Sequence, residues 1–179
     1  MDVPPQRIVI LGRSGSGKST LARMLGARLD LPVVHLDALF WQPGWVEPDR
    51  ESFRQRLTAA LAGDRWITDG NFSNTFDLRL PRADLIVWVE VPRLVSICRA
   101  LRRVWKYYGR TRPDLAPGCP ERLDLAFLRY IWNFDRDMKP KILAAVAQHG
   151  PGVPMVTLHD DAEAAAFLAT MPDRGGARS

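Results

Sequence analysis

The chain has 179 residues, 46% hydrophobic and 25% charged, with a formal net charge of +5. That balance describes one soluble α/β-sized domain with a sizeable core and excludes a disordered or low-complexity chain. The excess of cations suits an anionic ligand, nucleic acid included. Cys98 and Cys119 form no C-x-x-C pair and imply no disulfide framework. Met1 to Pro5 lacks the basic-plus-apolar opening of a signal peptide, and no apolar run approaches the ~20 residues that span a bilayer. The expectation is a cytoplasmic protein without a membrane partner.

The first strand is Ile8-Val9-Ile10-Leu11. It runs into Gly12-Arg13-Ser14-Gly15-Ser16-Gly17-Lys18-Ser19, which fits G-x-x-x-x-G-K-[ST], and then into a helix-forming stretch from Thr20. Strand, glycine-rich loop and helix together make a P-loop, in which main-chain N–H groups and a helix N-terminus cradle phosphates. The phosphate-facing residues are Gly12, Ser14, Gly15, Ser16, Gly17, Lys18, Ser19 and Thr20. Lys18 is placed to reach the β/γ-phosphates and the Ser19 hydroxyl to ligate Mg²⁺. Leu21, Met24, Leu25 and Leu29 share one helical face, and Leu31-Pro32 stops the helix.

Val33-Val34-His35-Leu36 reads as a short buried strand ending at Asp37, on the sheet edge where α/β proteins bind ligands. Asp37 either orients or deprotonates a substrate hydroxyl, or serves as an N-cap or turn residue. The next segment crowds Leu39, Phe40, Trp41 and Trp45 around Pro43-Gly44, and packs on a substrate ring or on the sheet rim. Pro48-Asp49 opens a helix carrying Phe53, Leu57 and Leu61. Arg65 to Thr68 is strand, followed by Asp69-Gly70. An acid directly after a strand, downstream of a P-loop, is the expected second Mg²⁺ position.

Leu85 to Val91 is the longest apolar run and reads as a central strand, closed by Pro92. The helix that follows carries an apolar stripe (Leu94, Ile97, Cys98, Leu101, Val104, Trp105) and a basic face. Between Arg99 and Arg112 the chain places six cations in fourteen residues with no acid: Arg99, Arg102, Arg103, Lys106, Arg110 and Arg112. Such a stripe can clamp a transferring phosphoryl group. Tyr107 to Pro120 is rich in Gly and Pro and reads as a mobile lid. Two helices follow, then a last strand, Val153 to Leu158, with Pro154 suiting an edge. Asp161 is placed to cap a final helix with Ala164, Phe167, Leu168 and Met171 on its apolar face. The organisation is a single domain over residues 1–171, a lid at roughly 106–120, and a flexible tail at 172–179. Alternating strands and helices predict a mostly parallel sheet covered on both faces.

No N-K-x-D stretch follows the later strands, and no Asp-Glu pair ends a strand, so GTPases and motor-type ATPases are disfavoured. Mobile arginines on a short chain suit a kinase that excludes water. The chain resembles the adenylate-kinase-like nucleoside and nucleotide kinases, and within them the bacterial topology modulation proteins (FlaR-like P-loop kinases). The resemblance rests on Gly12–Thr20, His35–Trp41 with Pro43-Gly44-Trp45, Asp69-Gly70-Asn71, Leu80–Asp84 and Gly109–Asp114. It implies a three-layer P-loop NTPase fold with five parallel strands in the order 2-3-1-4-5, and ATP with Mg²⁺ at the loop. It also puts Arg99 and Arg103 where such kinases place lid-side arginines. Asp69-Gly70 falls at the D-G-F-P-R position of adenylate kinases, but Asn71-Phe72-Ser73 follows. The arginine that grips a nucleoside monophosphate is therefore missing there, and Arg79 is the nearby substitute.

The resulting expectation is ATP-dependent transfer of the γ-phosphoryl group to a small hydroxyl or phosphate acceptor. The predicted machinery is Lys18, Asp37, Arg99, Arg103 and one of Arg110 or Arg112, with Ser19 and Asp69 toward the metal. The competing expectation is a nucleotide-switched DNA-associated protein. It has no helix-turn-helix or zinc pattern behind it.

Overall fold

Strand β1 (Arg7–Gly12) sends Ile8 and Ile10 to one face of a sheet and Val9 and Leu11 to the other, all at 0% exposure. A strand buried on both faces belongs at the centre of a parallel sheet. The computed structural model, which describes residues 4–174, places it there. β2 (Val33–His35), β3 (Trp66–Asp69), β4 (Leu85–Val89) and β5 (Met155–Leu158) complete five parallel strands in the order β2-β3-β1-β4-β5. The expected order is therefore the observed one.

Helices cover both faces. α1 (Lys18–Leu29) and α8 (Asp161–Thr170) pack on the Ile8/Ile10 face through Leu21, Leu25, Leu29, Phe167 and Leu168. On the Val9/Leu11 face sit α3 (Arg50–Ala60), the single turn α4 (Phe76–Arg79), α6 (Leu125–Asp137) and α7 (Lys139–His149), through Leu57, Phe76, Phe134 and Ile142. Fully burying each such side chain contributes about 1.5–3 kcal/mol. Asp49 caps α3 by accepting from the Ser52 N–H at 2.9 Å. Residues 175–179 of the expected tail lie outside the described residues, and the Arg174 N–H donates to the Arg28 carbonyl at 2.7 Å. No helix among the described residues is long and apolar enough to cross a membrane.

Three local expectations are corrected. β2 ends at His35, and Leu36 already begins a short helix, α2 (Leu36–Phe40), so Asp37 lies in a helical first turn and His35 is the N-cap. Asp160, not Asp161, caps α8 by accepting from the Glu163 N–H at 2.8 Å. Asp161 is left to pair with Arg99. On α5 (Arg93–Tyr107) the apolar stripe is not the packed face: Leu94 and Trp105 are 63% and 85% exposed, while Ser96 and Ala100 are buried. Small residues win because α5 must approach the P-loop closely, and bulkier side chains on that face would hold it away.

Candidate active site

The P-loop geometry follows from three glycines with positive φ. Gly12 (φ 139°) ends β1 where a Cβ would stand 2.2 Å from the Val89 carbonyl oxygen. Gly15 (φ 82°) turns beneath α5 where a Cβ would stand 2.3 Å from the Ser96 carbonyl oxygen. Gly17 is the N-cap of α1 and supplies no side-chain cap. The Leu21 N–H donates to the Gly17 carbonyl at 3.0 Å. The N–H groups of Lys18, Ser19 and Thr20 precede that bond and point from a positive helix end without helical acceptors. That is an anion cradle.

Lys18 Nζ donates to the Arg13 carbonyl at 2.7 Å, spanning the loop. Burial pushes the Lys18 ammonium down from its ordinary pKa, and Asp69 and Asp37 oppose that shift. Arg13 is 4% exposed, donates to the Val91 carbonyl at 3.1 Å, ion-pairs with Asp135 and lies over Phe134, anchoring the loop to α6. Ser14, Gly15, Gly17, Lys18, Ser19 and Thr20 line a cleft of about 1000 Å³. Gly12 and Ser16 lie beneath that lining and shape the loop from behind.

The first turn of α2 and the end of β3 supply carboxylates to the same cleft. Asp69 is 5% exposed, and His35 Nδ1 lies 3.0 Å from its Oδ2. Asp37 opens onto the cleft interior but is walled by protein at longer range. That enclosure raises its pKa, Asp69 adds to the rise, and Lys18, Arg112 and Arg103 oppose it. Asn71 closes the floor: its side-chain amide donates to the Gly12 carbonyl at 3.0 Å and accepts from the Gly12 N–H at 3.1 Å, locking the β3 loop to the P-loop.

Arg79, the sequence substitute for a phosphate grip, is at 0% exposure and faces away from the cleft. It donates to the carbonyls of Gly70 (3.1 Å), Asn71 (2.6 Å) and Phe72 (3.3 Å) and lies over Phe76. Burial pushes its pKa down to about 9, so it stays cationic at neutral pH. Its task is to hold the backbone around Phe72, which sits at φ 29°.

From the other side come the arginines of α5 and the lid. Arg99 donates to the Ser16 carbonyl at 3.0 Å and to Asp161 at 2.7 Å. Arg103 and Arg112 both pair with Glu121 Oε1, at 3.0 and 2.6 Å, and Arg112 also pairs with Asp114 at 3.1 Å. Glu121 is only 5% exposed. Arg99, Arg103 and Arg112 line the cleft; Arg110 is exposed and lies outside the lining.

The lid is docked. Leu115, Ala116 and Cys119 form a small third core with Trp41 and Trp45. The Gly44 N–H donates to the Gly118 carbonyl at 2.8 Å, and Trp45 Nε1 to the Pro120 carbonyl at 3.0 Å. The tryptophan loop thus packs on the lid, while Phe40 packs edge-on against Phe53.

Among the described residues, no group of three or more His, Cys, Asp or Glu side chains is placed to hold a metal ion. A single hydroxyl and a single carboxylate, Ser19 and Asp69, fit Mg²⁺ carried in on phosphates with much of its water retained. Sequence reasoning passed over His35, Glu121 and Tyr130, the last lining the cleft with its side chain hydrogen-bonded to Asn71. Glu121 had a readable signal: a cation-rich segment needs an internal carboxylate if it is to fold onto itself. His35 and Tyr130 had none, because their partners are distant in sequence.

No protein-family model matches the chain. It is similar to Adenylate kinase 2 of Nostoc sp. (strain PCC 7120 / SAG 25.82 / UTEX 2576), at 30% identity over 65% of this chain and 75% of that one. Its fold is similar to that of a shikimate kinase from Bacteroides thetaiotaomicron (19% identical, 92% of this chain and 95% of that chain, TM-score 0.55). A gluconokinase from Sinorhizobium meliloti 1021 is likewise similar (19% identical, 92% of each chain, TM-score 0.51).

Proposed function

The chain belongs to the adenylate kinase family of P-loop kinases, and from that premise we propose that it transfers the γ-phosphoryl group of ATP to a small acceptor bearing a hydroxyl or phosphate. The carrying observation is convergence. A P-loop, one carboxylate from the end of β3, another from the first turn of α2 and three arginines from α5 and the segment after it line one cleft. That combination suits phosphoryl transfer, where catalysis is mostly positioning and charge stabilisation.

In this reading ATP lies with its phosphates on the N–H groups between Ser14 and Thr20 and on Lys18. Mg²⁺, when bound, would neutralise charge between the β- and γ-phosphates, held by Ser19 and, directly or through water, by Asp69. Asp37 orients the acceptor and takes its proton. Arg99, Arg103 and Arg112 neutralise the transferring group, with Arg112 rather than Arg110 supplying the lid cation. The docked lid excludes water, which protects the phosphoryl group from hydrolysis. Within the family, the His35–Trp45 segment supports placing the chain with the topology modulation proteins. No observed contact favours the DNA-associated reading: Arg99, Arg103 and Arg112 of the basic stretch line the cleft, while Arg102, Lys106 and Arg110 are exposed outside it.

The test is ADP release with Mg²⁺-ATP against a panel of nucleosides, nucleoside monophosphates and small alcohols. Lys18→Ala is expected to lower turnover by about 10³-fold or more. Parent-rate phosphorylation of any acceptor by that variant would defeat the reading.

A further inference from the structure

Independently of the phosphoryl-transfer reading, we propose that the outward face of α5, continued onto α6, docks the protein on an anionic lipid bilayer, lying on its surface without crossing it. The apolar stripe of α5 has nothing packed on it. Leu94, Leu101 and Trp105, with Tyr108 at the C-cap, stand at helical spacing on one side. All four are exposed, Trp105 at 85%. Ser96 and Ala100, on the other side, are buried, and Ser96 lies against Gly15 of the P-loop. The apolar surface continues on α6, where Leu125 and Trp132 share one side at 74% and 48% exposure. Arg93 joins the two helices, its guanidinium 5.1 Å from the Trp132 ring centroid. Apolar side chains scattered singly on a surface need no partner, but six large ones on two neighbouring helices mark an interaction site.

Charge decides what covers that face. From Arg93 to Arg112 the chain has no Asp or Glu. Arg93 flanks the stripe on one side and Arg102 and Lys106 on the other, all three exposed. On α6, Arg129 is exposed one turn from Leu125, and the two acids of that helix are already engaged, Asp135 with Arg13 and Asp137 with Arg136. A bilayer interface meets each of these features. Trp and Tyr rings settle at headgroup depth, leucines reach the acyl boundary, and long cationic side chains extend to anionic headgroups. A second copy of the chain would set the same cations against each other, with no free carboxylate on the face to answer them. Nucleic acid would use the cations and the tryptophans but leave the leucines in water.

No helix among the described residues is long and apolar enough to cross a membrane, and a basic amphipathic helix such as α5 belongs in the interface plane. The placement leaves the chemistry free. Arg99 and Arg103, which line the cleft, come from the side of α5 turned away from the stripe. Trp105 can therefore be altered without touching a residue assigned to ATP.

The experiment mixes the full chain with vesicles of phosphatidylcholine, alone or with phosphatidylglycerol, and measures the bound fraction by flotation. Brominated lipid in the same vesicles quenches tryptophans that enter the bilayer. The expected result is binding ~10-fold or more stronger to the anionic vesicles, weakened by added salt and accompanied by quenching. Trp105→Ser is expected to weaken that binding ~10-fold and to remove much of the quenching, with ATP affinity at the parent value. Arg102→Gln combined with Lys106→Gln is expected to cut the preference for anionic vesicles about 10-fold. No binding to either vesicle overturns the proposal, and so does binding that ignores lipid charge. Anionic binding that Trp105→Ser leaves intact is charge alone and overturns it too. Self-association that depends on Trp105, without vesicle binding, assigns the face to a second copy. Duplex DNA binding without vesicle binding assigns it to nucleic acid, and either outcome removes the bilayer.

Discussion

On the donor side of the cleft the groups that face the ligand are main-chain amides, held between β1 and α1 by glycines whose φ values no other residue adopts comfortably. On the acceptor side they are side chains carried by irregular segments: the turn after β2, the loop after β3, the tryptophan loop and the lid. Backbone cradles tolerate almost any sequence that keeps the glycines. Side-chain walls depend on which residue each segment brings and on what that residue is already bonded to. One side can therefore be shared across many kinases while the other sets the acceptor.

Arg79 is where this contrast can be broken most severely. Its guanidinium bonds three carbonyls of the β3 loop from below, so Arg79→Met would leave buried acceptors unsatisfied. The expected cost is about 3–5 kcal/mol of stability, read by chemical denaturation. The P-loop should suffer indirectly, because Asn71 latches that loop to Gly12. A variant of parent stability that had lost only acceptor affinity would mean that Arg79 acts as a ligand after all.

The same contrast explains what could be read from sequence. The P-loop, Asp69 at the end of β3 and the parallel pairing of the strands were legible because each rests on local pattern: a glycine run after an apolar strand, an acid at a strand end, strands alternating with helices; the strand order came with the family resemblance. The corrections concern pairings that spacing does not encode. Arg79 looked available because nothing in Phe76 to Arg82 shows three carbonyls turning toward it. The α5 stripe looked like core because periodicity cannot say that Gly15 and Ser96 approach within contact distance. Asp160 and Asp161 are equivalent as caps until Arg99 takes one of them.

Asp37 offers the next largest effect, and it separates the two sides by pH. Its pKa is raised, chiefly by enclosure and then by Asp69. The base form therefore accumulates at higher pH than it would for a freely solvated carboxylate, and kcat should rise with pH through that displaced value. Asp37→Asn should lower kcat by about 100-fold and abolish that acid limb, with ATP affinity little changed. The sign for stability is the opposite. Because the folded pKa lies above the unfolded one, the folded chain binds the extra proton between them, and stability falls as pH rises through that window. The Asn variant should thus melt slightly higher than the parent at neutral pH. An acid limb that survives in the variant would assign the proton to another group.

Glu121 tests whether the lid arginines are set in advance. One nearly buried carboxylate bridges Arg103 of α5 and Arg112 of the lid. Glu121→Gln keeps the shape and removes the charge, leaving two guanidiniums to repel. We expect kcat to fall about 10-fold with a smaller change in the KM for ATP, because the phosphate cradle does not involve Glu121. Equal loss in both constants would show that the pair supports the donor side as much as the lid.

The smallest effect should come from Trp45→Phe, which sharpens the contrast from the lid's outer edge. Trp45 Nε1 donates to the Pro120 carbonyl at 3.0 Å, and its ring packs against Trp41 with centroids 5.4 Å apart. Phenylalanine keeps part of the ring contact and drops the N–H. The freed carbonyl lies at an exposed position where water can take the bond, so the net loss should be about 0.5–1.5 kcal/mol. The loss should appear locally, as roughly 2–10-fold faster amide exchange at Gly44, whose N–H donates to the Gly118 carbonyl. Amides of α1 should exchange at the parent rate, since the donor side is framed by β1 and α5 without help from the tryptophan loop. Slowed or unchanged exchange at Gly44 would mean that the lid is held by its apolar cluster alone. Faster exchange in α1 as well would mean that the two sides of the cleft open as one unit.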